Sequence, residues 1–257
     1  MPARSGDALT QPRVAVLMPA RNAAAHIWSA LESILVQRHA AALEVIVVDD
    51  GSTDATAEIV HEVRRANPEV RLVAGPARGI PFARNAAVAA MAPSAAFVTF
   101  LDADDLSPPD RIARDLATLR DDPDLDLVWG MTQPFQSGTE LERSSAPSQG
   151  RERRSQLAGL LLRRTFFDRI GGFNETLPIG EDVDFVLRML ELGPRLHLSD
   201  AIAVYYRRHP ANTTRDVGLV RQTLARAFLL AAQRRRRGGR TIPDGIFRTV
   251  TISQDVT

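Results

Sequence analysis

Phe100-Leu101-Asp102-Ala103-Asp104-Asp105 ends an apolar run with three carboxylates in four residues. The run 95–101 is short, aromatic and partly β-branched, which reads as a buried strand. Carboxylates at i and i+2 on a strand tip repel one another unless a cation neutralises them. Hard oxygen ligands of this kind suit Mg²⁺ or Mn²⁺, an ion commonly shared with a diphosphate. The competing reading is a solvated Asp-rich turn that caps a helix starting near Pro108. What surrounds the stretch has to decide between them.

Outward from it, the first half alternates strand and helix patterns. Residues 14–18 form an apolar run stopped by Pro19, and 24–37 carry Ile27, Leu31, Ile34 and Leu35 at helical spacing. A second buried strand at 43–48 ends in Asp49-Asp50-Gly51-Ser52, and 54–66 follows as a helix. A strand at 69–74, helices at 81–91 and 109–120, and a strand at 125–131 continue the alternation. Repeated β-α units of this length predict a mostly parallel sheet covered on both faces. Ligands of such sheets bind at the carboxyl ends of the strands. Arg21-Asn22, Asp49-Asp50 and Asp102-Asp104 all fall there.

Regularity breaks at 134–155, rich in Ser, Gln, Gly, Pro and charge, where about 20 residues without periodicity predict a mobile flap beside an acceptor site. Beyond it come short elements, a helix at 181–192, a strand through 202–207 and an amphipathic helix at 217–236. The expected organisation is a disordered stretch 1–12, a nucleotide-binding half 13–131, a flexible loop 132–155, an acceptor half 156–215, and a C-terminal helix with a basic tail, 216–257.

Composition adds exclusions. The 257 residues are 44% hydrophobic and 25% charged with net charge +1, so no global field points to nucleic acid. No cysteine is present, and every basic side chain other than histidine is arginine. No stretch approaches the roughly 20 apolar residues that span a bilayer, and residues 1–12 lack the apolar segment of a secretory signal. A cytoplasmic enzyme is the expectation.

Three further clusters carry chemistry. Asp49-Asp50-Gly51-Ser52-Thr53-Asp54 suits an Asx turn with Gly at positive φ and a cap for the next helix; a strand-tip Asp also accepts hydrogen bonds from a base or ribose edge. Gly180-Glu181-Asp182-Val183-Asp184 starts a helix where the macrodipole favours acids, yet Phe185, Leu187 and Leu190 set that helix on a core and aim its start at the adjoining cleft. An acid there suits a general base. Tyr205-Tyr206-Arg207-Arg208-His209 ends a strand and enters a polar loop suited to a diphosphate.

Taken in order, Pro19-Ala20-Arg21-Asn22, Asp49-Asp50-Gly51-Ser52-Thr53-Asp54, Ala83-Arg84-Asn85, Asp102-Ala103-Asp104-Asp105 and Gly171-Gly172-Phe173-Asn174-Glu175 to Gly180-Glu181-Asp182 resemble glycosyltransferase family 2 over residues 13–215. The resemblance implies the α/β GT-A fold, an inverting transfer from a nucleotide-sugar, by family frequency UDP-linked, to an acceptor hydroxyl, and Mn²⁺ or Mg²⁺ as cofactor. It implies donor contacts from Pro19, Ala20, Arg21, Asp50, Arg84, Asp102, Ala103 and Arg208. Asp104 is the implied chief metal ligand, with Asp102 and His209 beside it. Asp182 is the implied base and Glu181 shapes the acceptor site. Arg21 stands where many relatives carry an aromatic, which puts base stacking there in doubt. The Gln-x-x-Arg-Trp series of processive members is missing, which points to transfer of a single sugar.

Other classes fit less well. A nucleotidyltransferase needs a Gly-rich loop after the first strand, and 19–25 has no Gly. A dinucleotide oxidoreductase needs Gly-x-Gly-x-x-Gly there. A non-catalytic sugar-nucleotide-binding module has no need of Glu181-Asp182. At the other end, Arg234-Arg235-Arg236-Arg237-Gly238-Gly239-Arg240 reads as a solvated tail, a peripheral contact with anionic lipid through 234–240, or, with Leu224, Phe228 and Leu229, a helix docking on the domain or on a second subunit.

Overall fold

One seven-stranded sheet organises the chain, in the order β3-β2-β1-β4-β6-β5-β7. A computed structural model describes residues 11–136, 151–154, 156–210 and 217–238. The strands are β1 (Arg13–Ala20), β2 (Ala42–Asp49), β3 (Val70–Ala74), β4 (Phe97–Phe100), β5 (Leu127–Gln136), β6 (Leu160–Arg163) and β7 (Leu196–Arg208). The helices are α1 (Ile27–Leu35), α2 (Thr56–Ala66), α3 (Ile80–Ala90), α4 (Arg111–Asp121), α5 (Arg164–Ile170), α6 (Glu181–Glu191) and α7 (Val217–Gly238). β1 pairs in parallel with β2 and β4, β2 with β3, and β5 with β7; only β6 runs antiparallel, to β4 and β5.

Both faces are covered, as strands that are apolar on both sides require. Val14, Val16, Met18, Val45 and Val47 meet Ile27, Leu31 and Ile34 of α1, Val60 and Val63 of α2, and Ile112 and Leu119 of α4. On the other face Ala15, Leu17, Ile46, Val98 and Phe100 meet α3, α5 and α6. Phe100 lies 5.9 Å from Phe173 and 5.9 Å from Phe185, both edge-on, and 6.2 Å from Phe167. The end of β4, two residues before Asp102, is therefore anchored to α5 through Phe167 and to α6 through Phe185.

The expected division at 131 and 156 does not divide the sheet. β6, from the second half, is inserted between β4 and β5, and its Leu160 carbonyl accepts hydrogen bonds from Thr99 Oγ1 (2.7 Å) and from buried Arg111 Nη2 (2.8 Å). The loop expected from residue 132 also starts later. β5 runs on to Gln136 because β7 supplies a parallel partner along it, from Thr132 opposite Val204 to Gln136 opposite Arg208. At the far end, Thr132 and Glu152 exchange backbone hydrogen bonds, and Arg153 and Arg154 are buried. The expected flap is thus pinned at 134–136 and 151–154; residues 137–150 and 155 lie outside the described residues.

Candidate functional site

The sheet topology brings the carboxyl ends of β1, β2 and β4 side by side, and the loops there are tied to one another. Asn22 has φ of 51°, a left-handed conformation that Asn tolerates better than most residues. Its Oδ1 accepts from Thr53 N at 2.8 Å, while Asn22 N donates to Ser52 Oγ at 2.9 Å. Ala23 N donates to Thr56 Oγ1, and Ala24 N to Asp54 Oδ2. Asp54 Oδ1 also accepts from Thr56 N at 3.0 Å, and Ala55, the residue at the cap of α2, supplies no side-chain bond to it. Burial works against the Asp54 charge, and the bonds from Thr56 and Ala24 hold its carboxyl below the usual range all the same. Gly51, at φ 78°, supplies the turn. The first two motifs are one zipped structure. Pro19 and Ala20 are buried beneath it and Arg21 is exposed at its rim.

Asp50 lies at the tip of β2, next to the zipped loops. It is 2% exposed, and its carboxylate accepts from Gly79 N at 2.7 Å and Arg78 N at 3.3 Å. These bonds fasten β2 to the loop before α3.

Arg84 is 3% exposed, donating from Nε to Glu181 Oε1 at 3.1 Å and from Nη2 to Asp102 Oδ1 at 2.9 Å. Burial opposes its charge, and Asp102, Glu181 and Asp182 together overcome that and hold it more firmly protonated. Arg84 thereby joins the acidic turn of the first half to the acid pair of the second. Beside it Asn85 clasps the glycine loop: its Oδ1 accepts from Phe173 N at 2.7 Å and its Nδ2 donates to the Phe173 carbonyl at 3.0 Å.

The acidic turn does not cap the next helix. α4 begins at Arg111, and no side-chain bond caps it. Asp102, Asp104 and Asp105 have three separate placements. Asp102, half-buried, bonds Arg84; burial pushes its carboxyl up, Arg84 pulls it down and Asp104 pushes it up again. Asp104 Oδ2 lies 3.0 Å from His209 Nε2, and Ala103 between the two acids is buried. Asp105 is 1% exposed and accepts from Arg207 N at 2.9 Å, its carboxyl raised well above the ordinary range by burial and by Asp104 and Asp102.

Arg207, read in the sequence with Arg208 as suited to a diphosphate, is 1% exposed and bonded within the protein. Its Nε donates to the Asp104 carbonyl at 2.7 Å, its Nη2 reaches Ser29 Oγ at 3.3 Å, and its guanidinium lies 4.7 Å over the Phe135 ring. Strand alternation separates it from Arg208, which faces the other way. His26, unforeseen in the sequence, packs its ring 4.8 Å from that of His209.

Across Arg84 lies the acid pair. Glu181 is 3% exposed, and burial together with the Asp182 charge pushes its carboxyl up to about 7, against the pull of Arg84. Asp182 is half-buried; burial raises it and Arg84 lowers it. Asp184, from the same cluster, turns away from the cleft into bonds with Arg188 and Arg234, both 2.8 Å. The C-terminal helix docks on the domain through Ala227, Ala231, Leu224 and Phe228. Leu229, expected on that face, is 58% exposed. Arg234 is committed inward and Arg236 and Arg237 are exposed, while Gly239 and Arg240 lie outside the described residues. No helix among the described residues is long and apolar enough to cross a membrane.

The sequence model of "Glycosyl transferase family 2" matches residues 15–176. Chondroitin synthase of Pasteurella multocida is 31% identical over 194 residues, 73% of this chain and 20% of that protein. Succinoglycan biosynthesis protein ExoA of Rhizobium meliloti is 28% identical over 215 residues, 79% of this chain and 65% of that protein. ExoU of the same organism is 31% identical over 244 residues, 86% and 70% respectively. The chain thus spans a fifth of the length of the first relative and about two thirds of the other two. Among solved structures, a mannosyltransferase from Pyrobaculum calidifontis, in complex with GDP-Man and Mn²⁺, superposes with TM-score 0.66 at 22% identity, covering 89% of this chain and 66% of that one. TarS of S. aureus superposes with TM-score 0.63 at 21% identity, covering 86% of this chain and 39% of that one. The shared fold is the expected GT-A arrangement.

Proposed function

The chain belongs to glycosyl transferase family 2, and on that premise we propose that it moves a single sugar from a nucleoside-diphosphate sugar to an acceptor hydroxyl by direct displacement with inversion. The observation that carries the proposal is the approach of Asp104 Oδ2 to His209 Nε2, 3.0 Å, at the strand tips, with Asp182 beyond Arg84. The Asp104 carboxylate is a hard oxygen donor of the kind that Mg²⁺ or Mn²⁺ takes, and with the His209 imidazole beside it would hold such a cation. Among the described residues no group of three or more His, Asp or Glu is assembled for a metal. When bound, the cation offsets the charge that gathers on the departing diphosphate.

The remaining work falls to this chain's side chains. Arg84 keeps a fixed positive charge between Asp102 and Glu181, so the turn and the acid pair hold their spacing. Asp182, the more open of the two acids, accepts the proton of the attacking hydroxyl. Attack from the face opposite the leaving group inverts the anomeric centre. The UDP reading takes support from the TarS complex with UDP-GlcNAc, and GDP-linked donors from the mannosyltransferase complex. The single-sugar reading rests on the missing Gln-x-x-Arg-Trp series.

Calorimetric titration of UDP in the presence and absence of Mn²⁺ tests the site. Asp104→Ala should lose the metal-dependent part of the affinity while circular dichroism shows an unchanged fold. Equal metal-dependent affinity in mutant and wild type would remove Asp104 from the site.

A further inference from the structure

We infer that Arg234 on α7 is a positioning residue for the acid pair at the start of α6, an inference that rests on the assignment of Asp182 as base. Asp184 and Glu191, both buried, lie two turns apart on one face of α6. The Arg234 guanidinium bonds both, with Nη1 to Asp184 Oδ1 at 2.8 Å, Nε to Glu191 Oε2 at 2.8 Å and Nη2 to Glu191 Oε1 at 3.3 Å. Arg188 takes the other Asp184 oxygen. Apolar contact runs alongside, with Val183 and Leu187 of α6 and Leu177 packing on Ala227 and Ala231 of α7.

The grip extends to the first residue of interest. Gly180, at φ 79°, begins α6, and a Cβ there would lie 3.5 Å from Thr223 Cγ2 of α7. Residues 181 and 182 come next. On its other face α6 buries Phe185, Val186, Met189 and Leu190 against the sheet, and Glu181 is held by Arg84. The helix carrying Asp182 is therefore clamped between the sheet and α7. Both helices lie beyond residues 15–176 of the family match.

Removing the Arg234 charge leaves buried carboxylates undercompensated, and such groups move toward water to regain solvation. The cheapest movement is of α7 away from α6, because α6 buries Phe185, Val186, Met189 and Leu190 against the sheet while α7 meets it chiefly through Ala227 and Ala231; the start of α6 then loses its support at Thr223, and Asp182 shifts with it. Proton abstraction suffers from displacements well under the size of an atom, whereas donor binding at the strand tips does not feel them. A loss of turnover without loss of donor affinity is the signature.

The test uses the full chain with Mn²⁺ and a panel of UDP-glucose, UDP-GlcNAc and GDP-mannose, following release of nucleoside diphosphate to water as acceptor. Arg234→Met should lower turnover about tenfold or more, with UDP affinity within about twofold, and Arg234→Lys should recover part of it. Arg71→Met, which breaks the pair with buried Glu44 away from the cleft, controls for stability and should keep its turnover. Hydrogen exchange gives a readout independent of turnover: peptides across 180–186 should exchange faster in Arg234→Met, with those across 97–105 unchanged. Wild-type turnover or unchanged exchange at 180–186 in Arg234→Met would overturn the inference. If Asp182→Asn keeps full turnover, the base assignment falls, and this inference with it.

Discussion

The two sides of the cleft are built by different means. On the donor side, the loops after β1 and β2 are joined by short side chains that bond backbone N–H groups a few ångströms away, as Asn22 does to Thr53, Asp54 to Ala24 and Asp50 to Gly79. On the acceptor side, α6 is held by guanidinium groups from elements far away in sequence, Arg84 from α3 at Glu181 and Arg234 from α7 at Asp184 and Glu191. Short polar side chains at a strand tip have few alternative partners, so their job is local. A long arginine reaches across the fold, and its partner is settled only by tertiary packing. The first kind of site tolerates movement of distant helices; the second does not.

The difference is largest at Asp182. Asp182→Asn keeps the size of the side chain and removes its basicity, so turnover should fall by roughly 10²-fold or more while UDP affinity with Mn²⁺ stays near the wild-type value. Steady-state kinetics beside calorimetry separates the two. An equal loss in both quantities would mean that the acid pair serves donor binding, and the two sides would no longer be distinct.

A smaller effect is expected on the donor side, at Asp105. This carboxyl is buried and its job is to accept from Arg207 N at 2.9 Å. Asp105→Ala leaves that N–H unsatisfied in the interior and should cost about 1–3 kcal/mol in a denaturant titration. Asp105→Asn keeps an acceptor oxygen and should cost less. If the two variants are equally destabilised, the charge of Asp105 matters and the hydrogen bond does not.

The same contrast explains what could be read in the sequence. The β-α alternation of the first half was legible because buried strands with polar tips leave a period-2 or continuous apolar pattern. The acidic turn and the second motif were legible for the same local reason. β6 was not: Leu160 to Arg163 is four residues long, antiparallel in an otherwise parallel sheet, and depends on partners at 97–99 and 127–129. The end of β5 was lost because Thr132 to Gln136 looks polar until β7 is laid beside it. Arg84 was legible as an arginine on the first turns of a helix that suits either an anion of the substrate or an ion pair between the two halves, and its bonds to Asp102 and Glu181 are of the second kind. Asp184 was read with Asp182 because they share a helix start; the bonds to Arg188 and Arg234 turn it the other way.

The smallest expected effect lies at the seam between the two sides, in Glu181. Burial and the neighbouring Asp182 push its carboxyl from an ordinary 4.5 up to about 7, Arg84 pulling the other way. Between those values the folded protein keeps a proton that the unfolded chain has released. Stability therefore falls as pH rises through this window and levels off above about 7. Asp102, Asp105 and Asp182, also raised, add slopes of the same sign. Glu181→Gln retains an oxygen for Arg84 Nε and removes one titration, so its melting temperature should decline less steeply than that of the wild type between about pH 5 and 7. The two curves should run parallel above it. A mutant with the full wild-type slope would assign the pH dependence to the three aspartates alone.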